Sequence, residues 1–317
     1  MIDHSWDSYL PFLSSSGTQS YLSRSYKKHQ YDQPDSLSFE NCYAFIYYIE
    51  HGKKYYALSS NAPAELRPVL LFYGMTQLIK ACLLTVDPSY PDSSTVLAHG
   101  VTTRKRKKRN YEFLYDEVRI QKSGLFNHFC EKMFHVKHLE GDKITMKNLL
   151  SLIPEISLFF KTMGMPETML QLPAHDRKLA VPYVATDLLH LTDSRLLEFL
   201  ASASGWQLSL VEKNEQHMII SLPDQCNPIG SYPFSCSLNG DIYMPIERDL
   251  YSLPRLNEIM IHYLILYNLS MICRYDTEWW SDLFHTYNSK ELPIILHFLD
   301  ITAKKIPKLL ADYLNTR

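Results

Sequence analysis

The sequence has few glycines, 10 in 317 residues, and no C-x-x-C pair among its six cysteines, Cys42, Cys82, Cys130, Cys226, Cys236 and Cys273. Scattered single thiols argue against a disulfide framework and fit buried side chains in a reducing compartment. Little glycine leaves little room for flexible linkers. No charge of one sign dominates: 32 Lys plus Arg stand against 34 Asp plus Glu, a net charge of −2. That balance argues against a general nucleic-acid coat protein, so any basic surface must be local. Neither a P-loop nor an H-E-x-x-H zinc motif is present. The opening MIDHSWDSYL lacks a basic n-region and a continuous apolar h-region, so no signal peptide is expected and the expected location is cytoplasmic.

Aromatic residues are plentiful, with 22 Tyr, 14 Phe and 4 Trp. A chain of this length buries about 75% of its unfolded surface, enough for one large domain or two intimate ones. The stretch Arg67–Gln121 is the organising one. Pro68 suits the first turn of a helix. From Val69 to Val86 only Lys80 is charged, and Asp87-Pro88 ends the run. The run is long enough for a bilayer. Lys80, with Gln77 one turn earlier, is expensive in lipid, so a buried core helix and no membrane span are expected. Tyr73, Gln77 and Lys80 fall at i, i+4 and i+7 and share a face. That line is either a seam reaching solvent, with Lys80 snorkelling along its stem, or one wall of a pocket. Gly74, Leu78 and Ala81 form the neighbouring line and admit close approach of another helix.

Beyond a proline-rich loop come His99-Gly100 and then six consecutive basic residues: Arg104, Lys105, Arg106, Lys107, Lys108 and Arg109. Such a block is either a solvated segment or a contact for phosphates or an acidic partner, aided by Tyr111 and Phe113. YEFLYDEVRIQ alternates as a strand does. His128, His135 and His138 follow, with His135 and His138 placed to share a helical face, but no accompanying motif makes them a metal site. No metal and no cofactor are expected.

The expected fold is α+β: a mostly helical body from the N- and C-terminal segments with a small antiparallel sheet from the middle of the chain. One compact unit is expected, divided as 1–165 plus 246–317 for the helical body and 166–245 for a β-rich part. Ser38 is the expected cap of a helix that closes at His51-Gly52, before a short helix at Tyr55–Ser60. Thr145–Met163 reads as a helix interrupted by Pro154, and Thr192 or Asp193 caps a helix through Ala203. WQLSLVEKNEQHMIISL and FSCSLNGDIYMPI read as hairpins, the second turning at Asn239-Gly240. The second core helix is expected over 255–274, with three shorter helices after it.

Arg255 and His262 are seven apart in that expected helix and would face one way. The pair resembles the motif of the HEPN ribonucleases, in which the arginine would steady a phosphate and the histidine would move a proton. Leu256 stands where that motif has a polar residue.

NCYAFIYYIEHGKKYYALS, RPVLLFYGMTQLIKACLLTVDPSYP, LAHGVTTRKRKKRNYEFLYDEVRIQKSGLF and MICRYDTEWW resemble the YaaC-like family of bacillus-type bacteria over nearly the whole length. The resemblance implies a cytosolic bacterial protein whose relatives are encoded beside IMP dehydrogenase. It carries over no catalytic residue. The expected function is a non-enzymatic interaction or regulatory protein with a protein partner, IMP dehydrogenase being the candidate. The alternatives are a metal-independent HEPN-like ribonuclease using Arg255 and His262, and a nucleotide-binding sensor. Nucleotide or RNA contact would run through Lys80 and the basic block.

Overall fold

The computed structural model describes residues 4–103, 111–223, 232–286 and 289–316. The chain divides into two compact units, Met1–Lys143 with His262–Arg317, and Ile144–Ile261. The basic block 104–109 lies outside the described residues, as does Cys226.

The first unit is helical. After a 3-10 helix at His4–Leu13 come α1 (Ser15–Lys28), α2 (Pro34–Asn61) and α3 (Arg67–Leu84). Pro34 occupies the first turn of α2, which runs unbroken through His51-Gly52. The expected helix end at Gly52 is therefore wrong. Gly52 is buried inside the helix because α3 packs there, and a Cβ would sit 2.8 Å from Leu78 Cδ2. A glycine costs a helix interior about 1 kcal/mol relative to alanine; close packing offsets that here.

β1 (Val101–Thr103) and β2 (Glu117–Ile120) pair antiparallel, with Val101 opposite Ile120. The strand expected over Tyr111–Gln121 is shorter, because Phe113–Tyr115 turns as a 3-10 helix whose Leu114 N–H donates to Glu291 Oε1 at 2.8 Å. α4 (Leu125–Phe134) follows, and the chain leaves this unit through β3 (Lys143–Thr145).

The second unit holds α5 (Met146–Leu150), α6 (Pro154–Thr162), β4 (Met169–Leu172), β5 (Ala174–His175), β6 (Lys178–Pro182), α7 (Val184–Leu189), α8 (Asp193–Ser204), β7 (Ser209–Lys213), β8 (His217–Ser221), β9 (Ser235–Cys236) and β10 (Ile242–Pro245). Pro154 opens α6, as its missing N–H favours. Both expected hairpins form: β7 pairs with β8 and β9 with β10. They belong to separate antiparallel sheets, ordered β5-β6-β8-β7 and β4-β10-β9. Leu179, Val181, Met218 and Ile220 point from the first sheet into a core shared with Leu196 and Leu200 of α8.

α9 (Glu258–Tyr275) starts in the second unit and continues into the first, followed by α10 (Thr277–Thr286) and α11 (Glu291–Asn315). The two last short helices expected from sequence are one, α11, with Pro307 inside it. Proline removes a helical hydrogen bond, yet the flanking Lys305, Ile306, Leu309 and Leu310 are all buried, and the Pro307 carbonyl accepts from Tyr9 Oη at 2.7 Å. Tertiary packing carries the helix across the proline. The fold is α+β with a helical body. Among the described residues, no helix is long and apolar enough to cross a membrane.

Candidate binding site

Between Leu71 and Leu84, every residue of α3 is buried except Tyr73, Gln77 and Lys80. The spacing puts these three on one line, and that line is where this stretch of the helix meets solvent. α2 covers one side of it: the Tyr55 ring stacks on Tyr73 at 5.9 Å, and Lys80 Nζ lies 5.7 Å from the centre of the Tyr48 ring. A cation over an aromatic face is worth about 0.5–1 kcal/mol at exposed sites. Burial pulls the Lys80 pKa below its ordinary value.

His99 joins this line from the segment before β1. Its ring packs against Phe72 at 5.0 Å, Tyr73 at 6.3 Å and Tyr267 of α9 at 5.7 Å. Its backbone is held hard. The His99 carbonyl accepts from Tyr263 Oη at 2.9 Å and from the Phe126 N–H at 3.2 Å. Gly100 has φ +78 and abuts Gly124, where a Cβ would lie 2.4 Å from the Gly100 Cα. The His99-Gly100 segment thus brings two backbones together and sets the imidazole. Burial lowers the His99 pKa, and the charges of Arg274 and Lys80 lower it further.

The structure therefore brings together Tyr73, Lys80 and His99, with Gln77 half-buried on the same line, and adds Tyr267 and Arg274 of α9. Arg274 lies in the last turn of α9, where its Nε donates to the Ser270 carbonyl at 2.9 Å. Its guanidinium carbon also lies 5.3 Å from the centre of the Tyr275 ring. Tyr267 and Arg274 are seven apart, a spacing that returns to the same helical face and was the available sequence signal. The seam offers two cations, aromatic faces and a largely neutral imidazole. Such a set is chemically suited to an anionic or planar group.

The described residues nearest the basic block in sequence, Thr103 and Tyr111, join one hydrogen-bonded network. Tyr111 Oη donates to Asp116 Oδ2 at 2.9 Å and Asn268 Nδ2 donates to the same oxygen at 2.9 Å. Thr103 Oγ1 lies 3.5 Å from it and 3.1 Å from Asn268 Nδ2. Tyr111 also meets the Trp279 ring edge-on at 4.7 Å. Burial beside the Asp116 carboxylate raises the Tyr111 pKa.

Arg255 and His262 do not share a helix. α9 begins at Glu258, and Arg255 precedes it, with Nη2 3.4 Å from the Ser202 carbonyl. Pro254 and the irregular segment 254–257 precede the helix. His262 is fully buried, its Nδ1 bonded to Thr302 Oγ1 at 2.8 Å and its ring stacked on Phe298 at 5.3 Å. It is a core histidine. His135 and His138 do not share a helical face either, because α4 ends at Phe134 and both take left-handed backbone conformations. His128 instead bonds the buried Asp87 carboxylate through Nε2 at 2.8 Å. Among the described residues, no three His, Cys, Asp or Glu side chains group to hold a metal.

These features define an α+β protein whose helical unit presents a cationic, aromatic seam along its central helix. The chain belongs to the YaaC-like protein family, whose model matches residues 10–314. No curated protein and no solved structure matches it.

Proposed function

We propose that this is a cytoplasmic, non-enzymatic interaction or regulatory protein that grips an acidic partner along the seam of Tyr73, Gln77, Lys80 and His99. The observation that supports it most is that the charges of Lys80 and Arg274 both bear on the His99 ring, beside the half-buried rings of Tyr48 and Tyr73. Oppositely charged surfaces steer encounter and fix register. The basic block, Arg104 to Arg109, directly follows β1 in the sequence and carries charge of the same sign. The family resemblance makes IMP dehydrogenase the first partner to test.

A pull-down from native bacterial lysate tests the reading, with bound protein, nucleotide and RNA all identified. Lys80→Glu forms one arm, and Arg104, Arg106 and Lys108 changed together to Glu forms the other. Loss of one protein partner in both arms, with association slowed by salt, supports the proposal. Retention of RNA alone, with affinity falling linearly in log salt, would replace it with nucleic-acid binding. No difference between wild type and either arm would remove the seam as a contact surface.

A further inference from the structure

A second site lies elsewhere on the helical unit. A cleft of about 650 Å³ opens where the C-terminal half of α2, the start of α3 and the middle of α11 converge, with Trp6 at its side. Its lining carries three basic side chains, Lys53, Arg67 and Lys304, against one carboxylate, Asp300. Asp300 is already engaged: Arg67 Nη1 donates to its Oδ1 at 2.8 Å, and Arg67 Nη2 donates to the Leu299 carbonyl at 3.3 Å. That clamp fixes the guanidinium in place. Lys53 and Lys304 pair with no described carboxylate.

Two residues of the lining also carry buried donors without partners. The Tyr56 hydroxyl and Arg67 Nε are both shut off from solvent and neither makes a hydrogen bond. Tyr56 is 5% exposed, and leaving a buried polar group unsatisfied is costly. The α3 N-terminus at Arg67 adjoins the cleft and has no side-chain cap. Its partial positive charge adds to the three basic groups. Trp6 supplies a flat apolar wall, tilted against Tyr9 at 5.2 Å and edge-on to Tyr56 at 5.4 Å.

We propose that this cleft binds a small phosphate monoester carrying a planar aromatic group, with the phosphate between Lys53, Lys304 and Arg67 and the ring against Trp6. A dianion matches an excess of two positive charges, and charge-assisted hydrogen bonds to phosphate oxygens are among the strong ones.

Phenyl phosphate is the probe, with inorganic phosphate and phenol as its two halves, titrated by calorimetry and by tryptophan fluorescence. Phenyl phosphate should bind saturably, inorganic phosphate more weakly and phenol more weakly still. Lys53→Ala and Lys304→Ala change exposed side chains, and each should weaken phenyl phosphate about tenfold. Trp6→Phe should remove the fluorescence response while calorimetric binding persists. Lys80→Glu, which disables the separate α3 seam, should leave the affinity unchanged. The proposal is overturned if wild type shows no saturable binding, if the double lysine variant binds equally well, or if Lys80→Glu abolishes binding.

Discussion

Gly52 of α2 and Gly74 of α3 face one another across the central helix pair. A Cβ at Gly52 would lie 3.4 Å from the Gly74 carbonyl oxygen, and a Cβ at Gly74 would lie 2.8 Å from Tyr56 Cδ2. Both are buried. The close approach joins two parts of the molecule: the seam of Tyr73, Gln77 and Lys80 on one line of α3, and Tyr56 in the cleft beside α2. Each glycine is there to let the other helix in.

Gly74→Leu should therefore push the Tyr56 ring aside and cost about 1–3 kcal/mol by overpacking. Urea denaturation measures it, and an unchanged midpoint would show that the α2–α3 contact is looser than the structure has it.

Asp116→Ala should lower stability by about 1–3 kcal/mol by removing the carboxylate that accepts from the buried Asn268 amide. Tyr111 and Asn268 both donate to that carboxylate. The same denaturation experiment tests it, with Asn268→Ala combined in a double-mutant cycle. Additive losses would mean that the two residues do not act through Asp116 together.

His99 sets an expected pH dependence. Its folded-state pKa lies below the ordinary value of 6.5, through burial first and then Arg274 and Lys80. The unfolded chain then takes up a proton more readily than the folded one, so stability rises with pH across that interval. The contribution is fully present above about pH 6.5 and is lost as pH falls from there toward the folded value. His99→Phe keeps a ring against Phe72 and Tyr267 but cannot titrate. Its stability should decline less than that of wild type from about pH 7.5 to about pH 5. Parallel declines in the two proteins would count against this account.

His262→Ala should cost about 2–5 kcal/mol, because it removes a fully buried ring together with the hydrogen bond to Thr302. A HEPN-like ribonuclease would show a different result: metal-independent cleavage of single-stranded RNA by wild type, lost in the variant without loss of stability. Unfolding temperature and RNA cleavage measured on the same preparations separate the two.

Much of the helical architecture was open to reading from local pattern. The α3 boundaries, its buried character and its polar line follow from one charged residue in an apolar run and from the i, i+4, i+7 spacing of Tyr73, Gln77 and Lys80. The β7–β8 and β9–β10 hairpins follow from alternation and from Asn239-Gly240, where Gly240 takes φ +90. These signals are local, so the sequence carries them whatever the rest of the chain does. Gly52 and Pro307 misled for the opposite reason. Each is a local helix breaker overridden by distant partners, α3 for Gly52 and Tyr9 for Pro307.

The composition of the candidate site depended on tertiary structure in the same way. Tyr73 and Lys80 announce a line, but periodicity within α3 says nothing of His99 from the β1 approach, or of Tyr267 and Arg274 from α9. Nor does it say that Tyr56 and Arg67 end up beside Lys304. A residue's own neighbours fix its backbone and its side of a helix. Which other face it meets is settled by packing the whole core, where burial free energy summed over many side chains exceeds any single local preference.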